Sequence, residues 1–326
     1  MFSLLTSLLA ASTVLAVPTF HSELVGRASG PRIPDSNTTV YTDAQVLQLA
    51  LYFENLENAF FKYGTRFSSE DYIGAGFPDY TYGRLQQIAQ HDQAQTEFLI
   101  SVLGPNNSNI EPCIYDFAGL TTPTLFLQQA AVLKQVVASA YTGSLQVLDV
   151  AFSRATASIA VTEGRDQAFI ESVLLNGSAW TGPFDSYLNV DEAYAFVQGY
   201  QTSCPSNSTQ LPFTAFPSLY VNGHLGGTNG SAGATVQLSW NGSTTATQPL
   251  FLNVANGLGQ VNVPLNNGSA TLPQGLQGYS FLLVTTASSP ILINTNTTVA
   301  GPAYYNTEFS SYVNNTGFFT PNTTAF

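Results

Sequence analysis

Four stretches of the chain repeat apolar residues at steps of three and four, and in each the apolar stripe is broken near its middle by ionisable or amide side chains. In RLQQIAQHDQAQTEFLISVLG, a helix places Ile88, Asp92, Gln95, Leu99 and Val102 on one face. An earlier stretch, DAQVLQLALYFENLENAFFKYG, aligns Leu47, Leu51, Glu54, Asn58 and Phe61, with Glu57 at the edge of that face. In TPTLFLQQAAVLKQVVASAYTG the stripe is Leu127, Ala130 or Ala131, Lys134, Ala138 and Tyr141. SRATASIAVTEGRDQAFIESVLL gives Phe152, Ile159, Glu163, Asp166 and Ile170. Buried charges are costly unless they pair or bind a cation, so interruptions in four successive helices imply that these groups meet.

Boundary signals set the order of elements. Thr42 or Asp43 caps a first helix that runs to about Tyr63, and 64–82, with Gly74, Gly76 and Pro78, reads as a loop. The second helix spans about Gly83 to Leu103 and stops at Gly104-Pro105. Residues 104–122 form a long connection before a third helix that begins at Thr122-Pro123 and ends near Tyr141 to Gly143. A fourth runs from about Ser144 or Leu145 to Leu175 and closes at Asn176-Gly177. A short helical piece over Asp191–Tyr200 precedes a Pro-rich segment. From about Ser218 the period changes from 3.6 to 2: Ala234, Val236, Leu238 and Trp240 alternate with polar residues, and LFLNV, VNVPL, FLLV and ILI follow between turn residues. The expected class is an α+β multidomain chain, with a helical unit over 41–216 and a small antiparallel β-sandwich over 217–300. Residues 301–326 read as a polar, aromatic, irregular tail.

Composition narrows the setting. Only 9% of the 326 residues are charged while 44% are hydrophobic. The net charge of -12 and pI near 4.3 argue against nucleic acid or an anionic membrane as partner. Residues 1–16 form an uncharged apolar run ending Val14-Leu15-Ala16, which predicts a signal peptide, followed by an extended leader over 17–40. No later run predicts a membrane span. Asn-x-Ser/Thr acceptor motifs at Asn37, Asn106, Asn176, Asn207, Asn229, Asn241, Asn267, Asn296, Asn314 and Asn322 fit a secreted glycoprotein, and none falls within the four helical stretches. In that setting Cys113 and Cys204 are most simply one structural disulfide, the alternative being two free thiols.

At the helices the chain resembles a family of secreted ferritin-like domain proteins of fungi and plants, described as stress-responsive, desiccation-related or late-sexual-development proteins. The resemblance rests on LALYFENLENAFF, RLQQIAQHDQAQTEFLISVLG, ASAYTGSL, SIAVTEGRDQAFIESVLLNG and PFDSYLNVDEAYAFVQGYQTSCP, and covers residues 41–216. It implies a four-helix bundle in which single carboxylates and Glu-x-x-His pairs converge on two metal ions. Glu54 then takes the first-helix ligand position, with Glu57 as the neighbouring acid. Asp92 and Gln95 stand in for Glu and His of the second helix, Lys134 for the Glu of the third, and Glu163 and Asp166 for Glu and His of the fourth. Both imidazoles are replaced, and the ammonium of Lys134, one of two lysines in the chain with Lys62, repels a cation. The expectation is a salt-bridge cluster in which Lys134 pairs with Glu54, Asp92, Glu163 and Asp166 in place of metal. His91 lies about 100° around the helix from Asp92 and reads as a surface or interhelical residue; His21 and His224 lie outside the helices.

The chain contains no Gly-rich phosphate loop, G-x-S-x-G, Cys-x-x-Cys or H-E-x-x-H. The expectation is a secreted, non-catalytic glycoprotein of the cell surface or wall, without a cofactor, acting in stress or development. Its expected partner is a wall polysaccharide or another surface protein. The alternative is an iron- or manganese-dependent oxidase or peroxide-handling protein using Glu54, Asp92, Glu163 and Asp166.

Overall fold

A computed structural model describes residues 41–242, 248–290 and 293–313. The signal peptide, the leader, His21 and the acceptor motifs at Asn37, Asn314 and Asn322 lie outside the described residues, as do the first two residues of ILI.

Helix α1 spans Asp43–Gly64 and opens on a capping box: Gln45 N–H donates to the Thr42 hydroxyl and Thr42 N–H donates to the Gln45 side chain. The expected loop after it contains a short helix, α2, Ser69–Gly74, held by a second capping box between Ser68 and Asp71. Helix α3 spans Thr81–Leu103 and ends at Gly104, whose φ of 67° suits a residue without a Cβ. Helix α4 spans Pro123–Ser144, capped by Thr122 with Pro in its first turn. Helix α5 begins at Val150, later than expected, because Asp149 caps it; the Asp149 N–H also donates to Asp43 Oδ1, which ties this start to the start of α1. It runs to Ala168 and continues as a π-helical turn, Phe169–Leu174. Helix α6 spans Val190–Gln198 with a third capping box, Asn189 with Glu192.

The long helices pack α1 on α3 and α4 on α5, with α1 also against α4. Phe60, Leu127, Leu133, Val137 and Ile170 fill the space between them. Strands β1 (Ile114–Tyr115) and β2 (Gln201–Ser203) pair beside this core, next to a disulfide between Cys113 and Cys204. Among the described residues no helix is long and apolar enough to cross a membrane.

The remaining strands are β3 (Leu219–Val221), β4 (His224–Leu225), β5 (Gly227–Gly230), β6 (Thr235–Trp240), β7 (Phe251–Asn256), β8 (Gly259–Pro264), β9 (Ser269–Thr271), β10 (Gly278–Thr285) and β11 (Thr298–Thr307). They form a five-stranded sheet in the order β5-β11-β10-β7-β8 and a four-stranded sheet in the order β4-β3-β6-β9. The pairings are antiparallel except β11 with β5, a parallel pair that the expected all-antiparallel arrangement lacked. A single apolar cluster joins the sheets, with Val221, Val236 and Leu238 from one meeting Leu252, Val254, Leu282 and Tyr305 from the other. In β6 Val236 and Leu238 are buried as the alternation requires, while Trp240 is half-buried against the same cluster.

The expected tail is corrected: β11 reaches Thr307 and lies between β10 and β5. Gly301-Pro302 disguises it, since both residues argue against a strand interior, yet the pairing absorbs them where its register shifts between Leu282 and Val284.

Every residue of β10 is buried, because its two faces serve two cores. Leu282 and Val284 face the other sheet, whereas Tyr279 and Phe281 belong to the helical core. At this joint Tyr279 donates to Glu171 Oε2 at 2.9 Å and Asn306 donates to Oε1 at 3.4 Å. Burial, with a smaller contribution from the Glu308 charge, pushes the Glu171 carboxyl from an ordinary 4.5 up to about 7. A carboxyl whose pKa is raised on folding contributes stability that is full below its unfolded pKa and is lost as pH rises through its folded one. Between pH 4.5 and just above 7 the protein therefore loses on the order of 3 kcal/mol from this group. Urea denaturation of wild type and Glu171→Gln across that range will show a smaller decline with pH in the variant.

Candidate functional site

The interrupted stripes converge. Glu54 and Glu57 come from α1, Asp92 and Gln95 from α3, Lys134 and Tyr141 from α4, and Glu163 and Asp166 from α5. Glu54, Glu57, Asp92, Lys134 and Glu163 are each 0% exposed. The Lys134 ammonium donates to Asp92 Oδ1 at 2.5 Å and to Glu163 Oε2 at 2.9 Å, and lies 3.2 Å from Glu57 Oε1. The Phe61 ring lies beneath it, 5.2 Å from Nζ to centroid.

This differs in part from the expected pairing. Glu57, placed at the edge of its face by periodicity, is buried beside Lys134, whereas Glu54 is held by Tyr141, which donates to Oε1 at 2.5 Å. Asp166 contacts His91 instead of Lys134, with Nδ1 at 2.9 Å from Oδ2. His91 is thus interhelical, partly exposed, and at the outer edge of the cluster. Gln95, with its amide nitrogen assigned toward the carboxylates, donates to Glu163 Oε1 at 3.1 Å and Glu54 Oε2 at 3.2 Å. Val102 departs from the stripe at 39% exposure, and Leu103 is buried in its stead. Asn58 turns away to donate to the Glu54 carbonyl and the Thr96 hydroxyl.

Burial dominates the electrostatics. It holds Glu54 and Glu57 well above the carboxylate range, reinforced by the Glu163 charge. Asp92 is pushed up to about 6 by burial against the opposing pull of Lys134, and Glu163 is raised by the same balance. For Lys134 burial works downward, but Asp92, Glu163, Glu57 and Glu54 together outweigh it and hold the amine well above its ordinary value. One ammonium is therefore shared by Asp92 and Glu163, while burial drives Glu54 and Glu57 toward their neutral forms.

Two clefts approach the cluster from outside. One, of about 470 Å³, opens between α1, α2 and α3 with Asn58 and Phe61 in its wall. The other, of about 260 Å³, is lined by His91 and Asp166 with Arg84 and Phe169.

Comparison with known proteins finds a match over the helices that build this cluster. Residues 42–176 match the ferritin-like domain. The match takes in α1 to α5 and the π-helical turn, stops short of the expected boundary at 216, and leaves the sheets outside it. The chain is also 29% identical over 218 residues to Protein rds1 of Schizosaccharomyces pombe (strain 972 / ATCC 24843), an alignment that covers 63% of this chain and 52% of that protein. The aligned part thus spans about half the length of this relative.

A pair of metal ions does not fit the residues of the ferritin-like region. One oxygen each from Glu54, Glu57 and Asp92 lie within 4.8 Å of one another, and Glu57 Oε2 and Asp92 Oδ2 have no hydrogen-bond partner. Those donors alone would suit a cation. Lys134 Nζ nevertheless stands among Glu57, Asp92 and Glu163, and neither position that would supply an imidazole holds one.

Removing the ammonium leaves these carboxyls without a counter-charge. Lys134→Met is expected to lower unfolding free energy by about 3–5 kcal/mol. Adding Asp92→Asn and Glu163→Gln will recover a large part of that loss, as read by urea denaturation at pH 7.

Proposed function

We propose that this chain is a secreted glycoprotein in which a degenerate ferritin-like four-helix bundle, joined to a β-sandwich, serves as a non-catalytic scaffold at the cell surface or wall. The observation that carries this reading is the Lys134 ammonium, fully buried within hydrogen-bonding reach of Asp92 and Glu163 and beside Glu57. The Lys134 side chain occupies the place a metal ion would take, so the bundle needs no metal to fold and has no open coordination position at which to activate oxygen or peroxide.

Secretion is supported by the apolar first sixteen residues and by the Cys113–Cys204 disulfide. Glycosylation is supported by exposure of every described acceptor: Asn106, Asn176, Asn207, Asn229, Asn241, Asn267 and Asn296. The setting in fungal stress or development follows from the family resemblance. A wall polysaccharide or another surface protein is the proposed partner.

Elemental analysis of the secreted protein, expressed with iron, manganese and zinc supplied and then dialysed, tests the reading. Metal well below one equivalent is expected; stoichiometric metal that disappears in Glu163→Gln would replace the scaffold with a metal-dependent oxidase. In Lys134→Glu the lost cation becomes a fifth carboxyl, so the melting temperature should fall without metal and rise again when iron or manganese is added. An unchanged melting temperature in both conditions would reject the account.

A further inference from the structure

Lys134 and Asp92 come from helices whose main packing partners differ, since α3 lies chiefly on α1 and α4 on α5. Their side chains nevertheless meet at 2.5 Å, with both residues 0% exposed. A primary amine, a carboxyl group and further carboxyls able to carry protons are thus held together with solvent excluded, above the Phe61 ring. We propose that Lys134 and Asp92 condense to an intramolecular isopeptide bond that joins α3 to α4 across the core. The proposal rests on the scaffold reading, in which Lys134 is not displaced by metal, and adds a covalent modification to it.

The step balances without any co-reactant. Nζ attacks the Asp92 carboxyl carbon, the new bond is Nζ–Cγ, and the bond that breaks is Cγ to one carboxyl oxygen. Ammonium and carboxylate together become a neutral amide and one water: two protons leave Nζ and depart on the leaving oxygen. Glu163, which accepts a hydrogen bond from Nζ at 2.9 Å, is placed to take a proton from the attacking amine. Glu57 can return one, as an oxygen of its carboxyl lies within 4.8 Å of one of Asp92. Asp92 Oδ2 has no hydrogen-bond partner and is free to be the oxygen that leaves. Glu163 then passes its proton to the leaving oxygen, which departs as water, and Glu57, 3.2 Å from Nζ, takes the second proton of the amine, so both acids end as they began.

Two physical terms favour the reaction here and not in water. Fixing amine and carboxyl in contact removes the entropic cost of bringing them together, a term that reaches effective molarities of about 10⁵ M or more in well-oriented systems. Condensation also replaces two buried charges with a neutral amide, which relieves the desolvation cost of the ion pair. Exclusion of water then protects the product from hydrolysis.

Mass spectrometry of the secreted wild-type protein decides the matter. After N-linked sugar is removed and the disulfide reduced, the polypeptide should weigh one water less than the residues of the processed chain, with each deglycosylated Asn counted as Asp. No Lys or Arg lies between Leu85 and Lys134, so trypsin releases peptide 85–134 if Lys134 is free. An amide at Lys134 blocks that cut and gives 85–154, lighter by one water, with fragment ions that place the loop between Asp92 and Lys134. Asp92→Ala should restore the full mass and tryptic cleavage at Lys134. In Glu163→Gln, which keeps a hydrogen-bond acceptor, the bond should fail to form; bond formation there would overturn the role given to Glu163. A wild-type protein of full mass, cut at Lys134 and reactive there toward an amine label after denaturation, overturns the isopeptide bond. That result leaves the scaffold reading standing, because metal content tests that reading independently.

Discussion

The helical region depends on how one ammonium is divided among more carboxyl groups than it can neutralise. Desolvation sets the terms: every acid around Lys134 is pushed toward its neutral form, and the ammonium opposes that push most directly at Asp92 and Glu163, to which it donates. The remaining polar contacts follow from that shortage. Tyr141 and the Gln95 amide supply the hydrogen bonds that Glu54 lacks from Lys134, and His91 supplies a partner for Asp166 at the rim. Each helix gives at least one group to the network, so the network fixes the rotation of all four about their axes as well as their separation. Ala130, Ala131 and Ala138 of α4 permit close approach but are too small to specify register by shape alone. The polar groups add that specificity.

The long helices were legible because period and punctuation agreed. Thr42, the Thr122-Pro123 pair and Gly104 stand at element boundaries, and the polar breaks in each stripe identified the residues that meet. The pairing inside the cluster was less legible, since helical periodicity reports direction around an axis and not depth. Glu57 and Glu54 differ by one turn, and which of them faces α4's ammonium depends on crossing geometry that no single helix encodes. His91 shows the same limit: its angular offset from Asp92 is what carries it to the neighbouring helix and Asp166. Helix α2 was readable in principle, because Ser68 and Asp71 hold the spacing of a capping box, but the adjacent glycines and proline masked it.

The sheets were legible as alternation and poorly legible as order. β6 showed its buried face directly, whereas β10 is buried along its whole length and β11 contains Gly301-Pro302. Both departures have one cause: strands that separate two cores have no solvent face to mark with polar residues.

That arrangement also bears on where one structural unit ends. The matched ferritin-like residues stop at Asn176, yet the apolar cluster they build is completed by Tyr279 and Phe281, about a hundred residues further along the chain. Family boundary and folding boundary therefore do not coincide. Excised at the edge of its recognisable homology, the helical half would carry an open seam where β10 had been, a sticky surface created by the excision itself. The chain is better regarded as one cooperative body whose most recognisable portion is not separable from the rest.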